Sequence, residues 1–299
     1  MKRNTDSAAN SLLSVLAFAL IVSLLCGCTP LRESTAVSAS PEALKAGVSR
    51  ILALEAKDPD AVDDAIKEHR RQALIAEYEA RFPAVEYDPK ALYEARLAAL
   101  KEDPSAVWSM FEDYVIIGDS RGADFKNIPA LDDSRNLAVY ANTAGTFVDI
   151  YEEIEALNPS YIFVSIGFVD ALSNDLEDVE DYKSYMTPLI QDLKDHFPDA
   201  KIFMNPLFHS IGEGLERFPR WNRIDEYDAA IREIAGEVGV YYVNCDDILP
   251  TEEDYIDDGI HFKNGFMNRW AIRFIETLYQ VEYGVGGRPA GAEEGGGDP

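Results

Sequence analysis

Hydrophobic and polar positions follow a strand-and-helix pattern from residue 113 onward. Short runs of β-branched and aromatic residues lie at 114–117, 137–140, 161–166, 201–204 and 240–243. Amphipathic stretches separate these runs or follow the last one, at 146–157, 178–197, 221–237 and 264–280. Strands that alternate with helices are typical of a parallel sheet with helices on both faces. The pattern therefore predicts a three-layer α/β fold with about five parallel strands.

A helical pattern precedes this region. Four times, a side chain that can cap a helix N-terminus stands before a proline suited to the first helical position: Ser40-Pro41, Asp58-Pro59, Asp88-Pro89 and Asp103-Pro104. An apolar stripe recurs at multiples of four positions: Val62, Ile66, Leu74, Tyr78 and Phe82. These signals predict a helical extension at residues 41–105, built of about three helices.

The first residues have the parts of an export signal. Lys2 and Arg3 precede an apolar run at 12–25, which is shorter than the roughly 20 residues of a membrane span. The run ends in Leu25-Cys26-Gly27-Cys28, which resembles the lipobox of bacterial lipoproteins. That resemblance implies a signal peptide at 1–27 and a lipid on Cys28. An ordinary secretory signal and an uncleaved anchor are the alternatives. We expect an exported protein, held by its lipid on the outward face of a bacterial cell membrane, or else secreted.

The rest of the chain divides by composition. Residues 28–40 are rich in Ser and Thr and are predicted to be a flexible tether. The main domain is predicted at 106–282, and the Gly-rich residues 283–299 are predicted to be disordered. With Cys26 removed and Cys28 lipidated, Cys245 has no cysteine to pair with, so a packed core must supply the stability.

The net charge of the chain disfavours some classes of binding partner. The chain carries a formal charge of −27 at pH 7. Such an excess of acid disfavours nucleic acid and anionic membrane surfaces as direct partners. We therefore expect no nucleic-acid partner and contact with the membrane only through the lipid anchor.

Candidate chemistry begins where the first predicted strand ends. In an open α/β sheet, ligands bind at the carboxyl ends of the strands, and Gly118-Asp119-Ser120 follows the run at 114–117. Gly118 permits a tight turn, and Asp119 is expected to brace that turn. Ser120 would then begin a helix, where its own amide suits a developing negative charge. Ser120 is the candidate nucleophile.

A base and an acid follow the last predicted strand. His261 lies three positions after Asp258, a spacing that brings two side chains to one face of a helical turn. Asp258 can hold one ring nitrogen of His261 and leave the other for a serine. A serine after the first strand and this pair after the last together predict a Ser120–His261–Asp258 triad.

These motifs resemble the blocks of the SGNH, or GDSL-like, hydrolase family, in its bacterial cell-surface form. "IIGDSR" is similar to the first block and contains Ser120, and "DGIH" is similar to the last and contains Asp258 and His261. The second block's glycine corresponds to Gly145 in "AVYANTAGTFVD", by a loose match. The resemblance implies a flavodoxin-like sheet and an oxyanion hole formed by the amides of Ser120 and Gly145. It spans residues 113–280 and leaves out the helical extension.

The third block departs from the family pattern. The family has Gly-x-Asn-Asp, with the asparagine side chain donating to the oxyanion, whereas this chain has Gly167-Phe168-Val169-Asp170. Loss of one such donor typically lowers turnover about 10² to 10³-fold, so we expect a slower enzyme rather than an inactive one. Three candidates for a replacement donor or a substrate-binding residue lie after the predicted strands: Asn174, Asn205 and His209.

Arg121 and the acidic residues near Asp258 allow more than one interpretation. Arg121 is a candidate for binding an anionic substrate group or the oxyanion, and pairing with one of the chain's many acids is the alternative. The acidic cluster at 252–258 lacks the glycine and ligand spacing of a calcium loop, so no metal site is predicted. Acyl transfer through a serine requires no organic cofactor.

The sequence thus predicts a serine ester hydrolase, acting on an acyl ester that is plausibly an O-acetyl group of a cell-surface carbohydrate. An acylated small molecule or glycan is the expected substrate. Two alternatives stay open: an O-acyltransferase that uses the same acyl-enzyme, and an impaired glycan- or partner-binding module, which Val169 favours.

Overall fold

The structure is a computed structural model that describes residues 40, 42, 45, 46, 48, 49, 59–82 and 88–284. The predicted signal peptide, Cys28, nearly all of the tether and the tail beyond residue 284 lie outside the described residues. The chain divides into two compact units, Met1–Ala61 and Val62–Pro299. In the first unit, the described residues 42, 45, 46, 48 and 49 are helical and exposed.

The described elements alternate between helix and strand. The α-helices are α1 (Pro59–Glu79), α2 (Pro89–Ala99), α3 (Ser120–Ala123), α4 (Tyr151–Leu157), α5 (Val179–His196), α6 (Gly212–Arg217), α7 (Ile224–Val238) and α8 (Asn264–Tyr283). The strands are β1 (Tyr114–Gly118), β2 (Tyr161–Ser165), β3 (Lys201–Met204) and β4 (Tyr241–Tyr242). Short 3₁₀ turns join them at Pro104–Met110, Asp124–Asn127, Asp133–Arg135, Ala144–Ile150, Asp170–Leu172, Pro219–Arg223 and Glu252–Asp254.

The sheet is parallel, with the strand order β1-β2-β3-β4. Register pairs Tyr114 with Tyr161 and Gly118 with Ser165, so β1 and β2 end side by side. β4 pairs with β3 over only two residues. All four strands therefore present their carboxyl ends at one edge, which we call the carboxyl edge.

The predicted strand at 137–140 is the one element of the sheet pattern that is wrong. Residues 136–139 run beside β1 with a single parallel bridge, Ile116 to Asn136, and two hydrogen bonds, from Leu137 N to Ile116 O and from Val139 N to Gly118 O. The Asn136 side chain accepts from Ala138 N, the amide that lies between the two bonded to β1 and faces away from that strand. This segment extends the spatial order to that of a flavodoxin-like sheet, whose order reverses at β1.

Two hydrophobic clusters cover the two faces of the sheet. Val115 and Ile117 of β1 belong to the cluster with α4, α5 and α7, whereas Tyr114 and Ile116 belong to the cluster with α8. Alternate residues of a strand point to opposite faces, so β1 is buried on both sides. This confirms the predicted three-layer α/β/α arrangement.

The helical extension contains α1 and α2 where the proline signals predict helices. The Asp88 side chain caps α2 by accepting from the amides of Lys90 and Ala91. The ring of Tyr93 stacks on Tyr279 of α8 with centroids 5.2 Å apart. At Pro104 the chain forms a 3₁₀ turn instead of a further α-helix, and its residues Ala106 to Met110 are buried. Among the described residues, no helix combines the length and apolarity needed to cross a membrane.

Candidate active site

The turn after β1 brings Ser120 to the carboxyl edge. Gly118 has φ +148°, and a Cβ on it would lie 1.9 Å from the carbonyl oxygen of Ser165 on β2. Only glycine fits so close to a neighbouring backbone. The next amide, that of Asp119, donates to Ser165 O at 2.8 Å. Ser120 then begins α3 and is 9% exposed.

The hydroxyl and the amide of Ser120 are the two groups that its predicted role would use. Its hydroxyl makes no hydrogen bond within the described part of the chain. Its amide is the first of α3, and the first amides of a helix have no intrahelical acceptor. An amide in that position can receive the oxygen of a substrate carbonyl as it becomes negative.

Asp258 and His261, which the sequence predicts as an acid–base pair, are hydrogen-bonded to each other on the turn before α8. Asp258 Oδ2 lies 2.6 Å from Nδ1 of His261, while Oδ1 accepts from the amides of Ile260 and His261 at 2.8 and 2.9 Å. Burial raises the pKa of Asp258, but these hydrogen bonds outweigh that effect and hold the pKa below its ordinary value. Asp258 is therefore a carboxylate at neutral pH, and it favours the tautomer with hydrogen on Nδ1.

The other ring nitrogen of His261, Nε2, is buried and has no hydrogen-bond partner among the described residues. Ser120 and His261 are linked through the residues beside them, because Arg121 Nε donates to Ile260 O at 3.1 Å. The structure records no hydrogen bond between the Ser120 hydroxyl and Nε2. The arrangement leaves a buried acceptor on a loop that is bonded to the turn after β1. We call that turn, Gly118-Asp119-Ser120, the nucleophile turn, after its candidate nucleophile.

The loop that contains Gly145 lies against the nucleophile turn. Asn142 Nδ2 donates to Gly118 O at 3.5 Å, and Ala144 N donates to Asp170 Oδ1 at 3.0 Å. The amide of Gly145, a predicted oxyanion donor, instead donates to the hydroxyl of Tyr185 at 3.0 Å. An oxyanion at this amide would have to displace or share that hydroxyl.

The sequence of this region matches a known family. Residues 119–264 match the model of the GDSL-like lipase/acylhydrolase family. These residues form a GDSL-like lipase/acylhydrolase domain. The matched span begins one residue before Ser120 and includes both Asp258 and His261. The model is that of a lipase/acylhydrolase family, so residues 119–264 are similar to a domain of carboxylic ester hydrolases.

Solved structures of GDSL-like proteins resemble the chain at low identity. A GDSL-like lipase from Parabacteroides merdae is 16% identical, with 56% of this chain and 97% of that chain covered and a TM-score of 0.43. A GDSL-like lipase from Bacteroides thetaiotaomicron is 14% identical, with 61% and 98% covered and a TM-score of 0.43. An acetylxylan esterase from Geobacillus stearothermophilus is 15% identical, with 55% and 93% covered and a TM-score of 0.40. No curated protein sequence matches the chain.

Two of the candidate donors in the GDSL-like domain are engaged elsewhere. Asn205 is 1% exposed, and it donates to Val164 O and accepts from Trp270 Nε1, so its side chain is used inside the core. The interpretation of Asn205 as an oxyanion or substrate donor is therefore wrong. His209 is half-exposed, with Nε2 2.7 Å from Asp225. Asn174 is exposed, and Val169 is partly exposed with no polar group to offer.

Arg121 of the GDSL-like domain has neither of its predicted partners. It is 3% exposed, and its donors reach the carbonyl oxygens of Phe208, His209 and Ile260. Burial leaves it out of reach of a substrate, and no described carboxylate forms a salt bridge with it. Both interpretations from the sequence, substrate binding and pairing with an acid, are corrected by this network of neutral acceptors.

Two carboxyl groups are buried beneath the turn. Asp119 is 1% exposed; its Oδ1 accepts from Arg121 N, and its Oδ2 has no partner in the described part of the chain. Burial raises the pKa of Asp119 to about 7, although the charge of Arg121 opposes that rise. Burial also raises the pKa of Asp170. The prediction that Asp119 braces the turn agrees with its cap on Arg121 N.

Sequence reasoning missed two tyrosines at this edge. Tyr185 lies in the middle of α5, forty positions from Gly145, and nothing in its local sequence marks it. The ring of Tyr140 lies 6.0 Å from the ring of His261, and its hydroxyl donates to Asp124 at 2.6 Å. Tyr140 lies in a predicted strand, but it is 58% exposed and its ring is near that of His261. Within the described residues, no group of three or more His, Cys, Asp or Glu side chains is placed to hold a metal ion.

Proposed function

We propose that the protein is a serine ester hydrolase in which Ser120, His261 and Asp258 act as a triad. The observation that supports this most directly is the Asp258–His261 pair. Its 2.6 Å bond fixes Nδ1, and its Nε2 is buried without a partner on the loop bonded to the nucleophile turn. A buried ring nitrogen without a partner is costly in a structural histidine, but a general base must have one available.

The proposed mechanism uses only groups of this chain. His261 Nε2 takes the proton of the Ser120 hydroxyl as Oγ attacks the acyl carbon, and the Ser120 amide donates to the oxyanion. His261 then gives the proton to the leaving alcohol, and the acyl group stays on Ser120. Water, activated by the same nitrogen, releases the acid. Asp258 stabilises the imidazolium in both steps.

The proposed substrate is an O-acetyl ester on a carbohydrate at the cell surface. This rests on the predicted export signal and lipobox, which would place the enzyme among surface glycans. Lipid anchoring is tested by fractionation of cells that express the full chain or the Cys28→Ser variant. We expect the native chain to fractionate with the membranes. We expect the Cys28→Ser variant to be in the soluble fraction or to remain an unprocessed precursor. Equal membrane association of mature, processed forms would contradict the anchor.

Hydrolysis is tested with p-nitrophenyl acetate on the purified protein. We expect Ser120→Ala to reduce the rate to background and Val169→Asn to raise kcat. Loss of one oxyanion donor typically lowers turnover by about 10² to 10³-fold, and Val169→Asn should recover part of that factor in kcat. Equal rates for the native protein and Ser120→Ala would refute the hydrolase.

A binding module with impaired catalysis is the second candidate function. Two observations favour it: Val169 supplies no donor, and the Gly145 amide is bonded to Tyr185. Glycan binding by both the native protein and Ser120→Ala, without hydrolysis by either, would select the binding module. An acyltransferase would instead transfer the acetyl group to an added glycan in preference to water.

A further inference from the structure

Arg121 joins two loops of the carboxyl edge. Its Nε donates to Ile260 O at 3.1 Å, one NH₂ group donates to Phe208 O at 2.5 Å, and the other donates to His209 O at 2.8 Å and to Ser210 Oγ at 3.3 Å. One side chain thereby connects the turn after β1 with the loop after β3 and with the turn before α8. The partners lie 87 to 139 positions away in the sequence.

The guanidinium is held on its flat faces as well as at its edges. Its carbon lies 3.8 Å from the ring centroid of Phe168 and 4.9 Å from that of Phe262. Arg121 is 3% exposed, and all of its hydrogen-bond acceptors in the described part of the chain are neutral. A planar group with fixed donors, enclosed by rings and carbonyls, sets the geometry of its surroundings more than it neutralises charge.

Arg121 and two of its contact partners are direct sequence neighbours of Ser120 and His261. Arg121 follows Ser120 directly, its acceptor Ile260 directly precedes His261, and its ring partner Phe262 directly follows His261. We propose that Arg121 is a positioning residue, whose guanidinium fixes the Asp258–His261 turn against the nucleophile turn and so sets the distance from Ser120 Oγ to His261 Nε2. The proposal rests on the proposed function, because it concerns the same pair.

Lysine cannot replace this network. An ammonium is a point charge without a planar face, and it cannot reach three carbonyl groups that lie in different directions. The Arg121→Lys variant keeps the positive charge and the apolar stem but releases the turn before α8. Because a misplacement of 1 Å can cost about 10² in rate, we expect kcat to fall by about that factor with little change in KM.

A matched control exists at the opposite end of β1. Arg135 also binds a backbone carbonyl, that of Tyr114 at 2.9 Å, and lies away from the carboxyl edge. Arg135→Lys makes the same chemical change without touching the triad loops. We expect it to keep the native kcat for p-nitrophenyl acetate and the native rate of Ser120 labelling by a fluorophosphonate, whereas both fall in Arg121→Lys.

A double-mutant cycle separates positioning from general destabilisation. If Arg121 acts through His261, Arg121→Lys should cause no further loss of labelling rate in a His261→Ala background. The same loss in both backgrounds would overturn the proposal. If Arg121→Lys does not fold, Phe262→Leu takes its place in the cycle, because it removes one ring beside the guanidinium and none of its hydrogen bonds.

A second measurement tests the positioning role of Arg121 without requiring hydrolysis of an ester. We expect a nuclear Overhauser contact between the Ser120 methylene and the ring protons of His261 in the native protein and in Arg135→Lys, weakened in Arg121→Lys. An unchanged contact in Arg121→Lys, or none in the native protein, would overturn the positioning role. If the native protein shows no hydrolysis, and the contact between Ser120 and His261 nevertheless depends on Arg121, the proposed function fails and the positioning role stands.

Discussion

Replacing Asp119 with asparagine should stabilise the protein far more at pH 8 than at pH 5. Asp119 is buried, its Oδ1 caps the amide of Arg121, and its Oδ2 has no partner among the described residues. Asparagine has nearly the same shape, and its oxygen can keep the cap. The substitution therefore removes a titrating group and leaves the turn in place.

The magnitude follows from the shifted pKa of Asp119. Burial raises it to about 7 from the ordinary 3.8. The folded state thus holds its proton more tightly than the unfolded state, and stability falls as pH rises between the two values. At about 1.36 kcal/mol per pKa unit, the penalty is about 1.6 kcal/mol at pH 5 and about 4 kcal/mol at pH 8. The advantage of the asparagine variant should grow by about 2 to 3 kcal/mol over this range.

Urea unfolding, followed by circular dichroism at both pH values, measures this difference. Asp257, which is exposed beside Asp258, provides the control, because Asp257→Asn removes a carboxyl group that is not buried. An offset for Asp119→Asn that is equal at pH 5 and pH 8 would refute the reasoning. It would mean that Asp119 titrates alike in the folded and unfolded states.

Three further outcomes are expected. Asp258→Asn should lower kcat by about 10⁴ with little change in KM, because an amide facing Nδ1 favours the wrong tautomer of His261; the pH dependence of kcat checks this. Gly118→Ala should abolish cooperative thermal unfolding, because its methyl group would lie 1.9 Å from a backbone oxygen, whereas Gly265→Ala should not, since nothing lies within 4 Å of its added carbon. Burial raises the pKa of the Cys245 thiol, so mass spectrometry should find it alkylated by iodoacetamide only in urea.

The parts of the site that depend on neighbouring residues could be predicted from the sequence. Gly118 marks the turn after β1 because the strand pattern ends there, and the three-residue spacing of Asp258 and His261 is enough to pair them. The layer order follows from strands that are apolar on both faces. Each of these signals lies within a short stretch of residues, so it can be recognised in the sequence without knowledge of the fold.

The parts that depend on packing between distant segments could not be predicted. Arg121 pairs with carbonyl oxygens, which every residue possesses and no sequence pattern marks. Asn205 directly follows β3, where a substrate-binding donor is expected, but its side chain accepts a hydrogen bond from Trp270 of α8 inside the core. The segment beside β1 has the residue types of a strand but meets β1 at a single bridge, and its own sequence does not mark this limit.

The two kinds of contact in the site close loops of very different length. The Asp258–His261 bond closes a loop of three positions, whereas the bond from Arg121 to Ile260 closes one of 139 positions. Short loops close faster and at lower entropic cost than long ones. We therefore expect Asp258 and His261 to pair early, within one turn, and Ser120 to join them later, when the long loop closes. Recovery of ester cleavage after dilution from urea should thus report the closure of this 139-position loop, later than the return of helical circular dichroism.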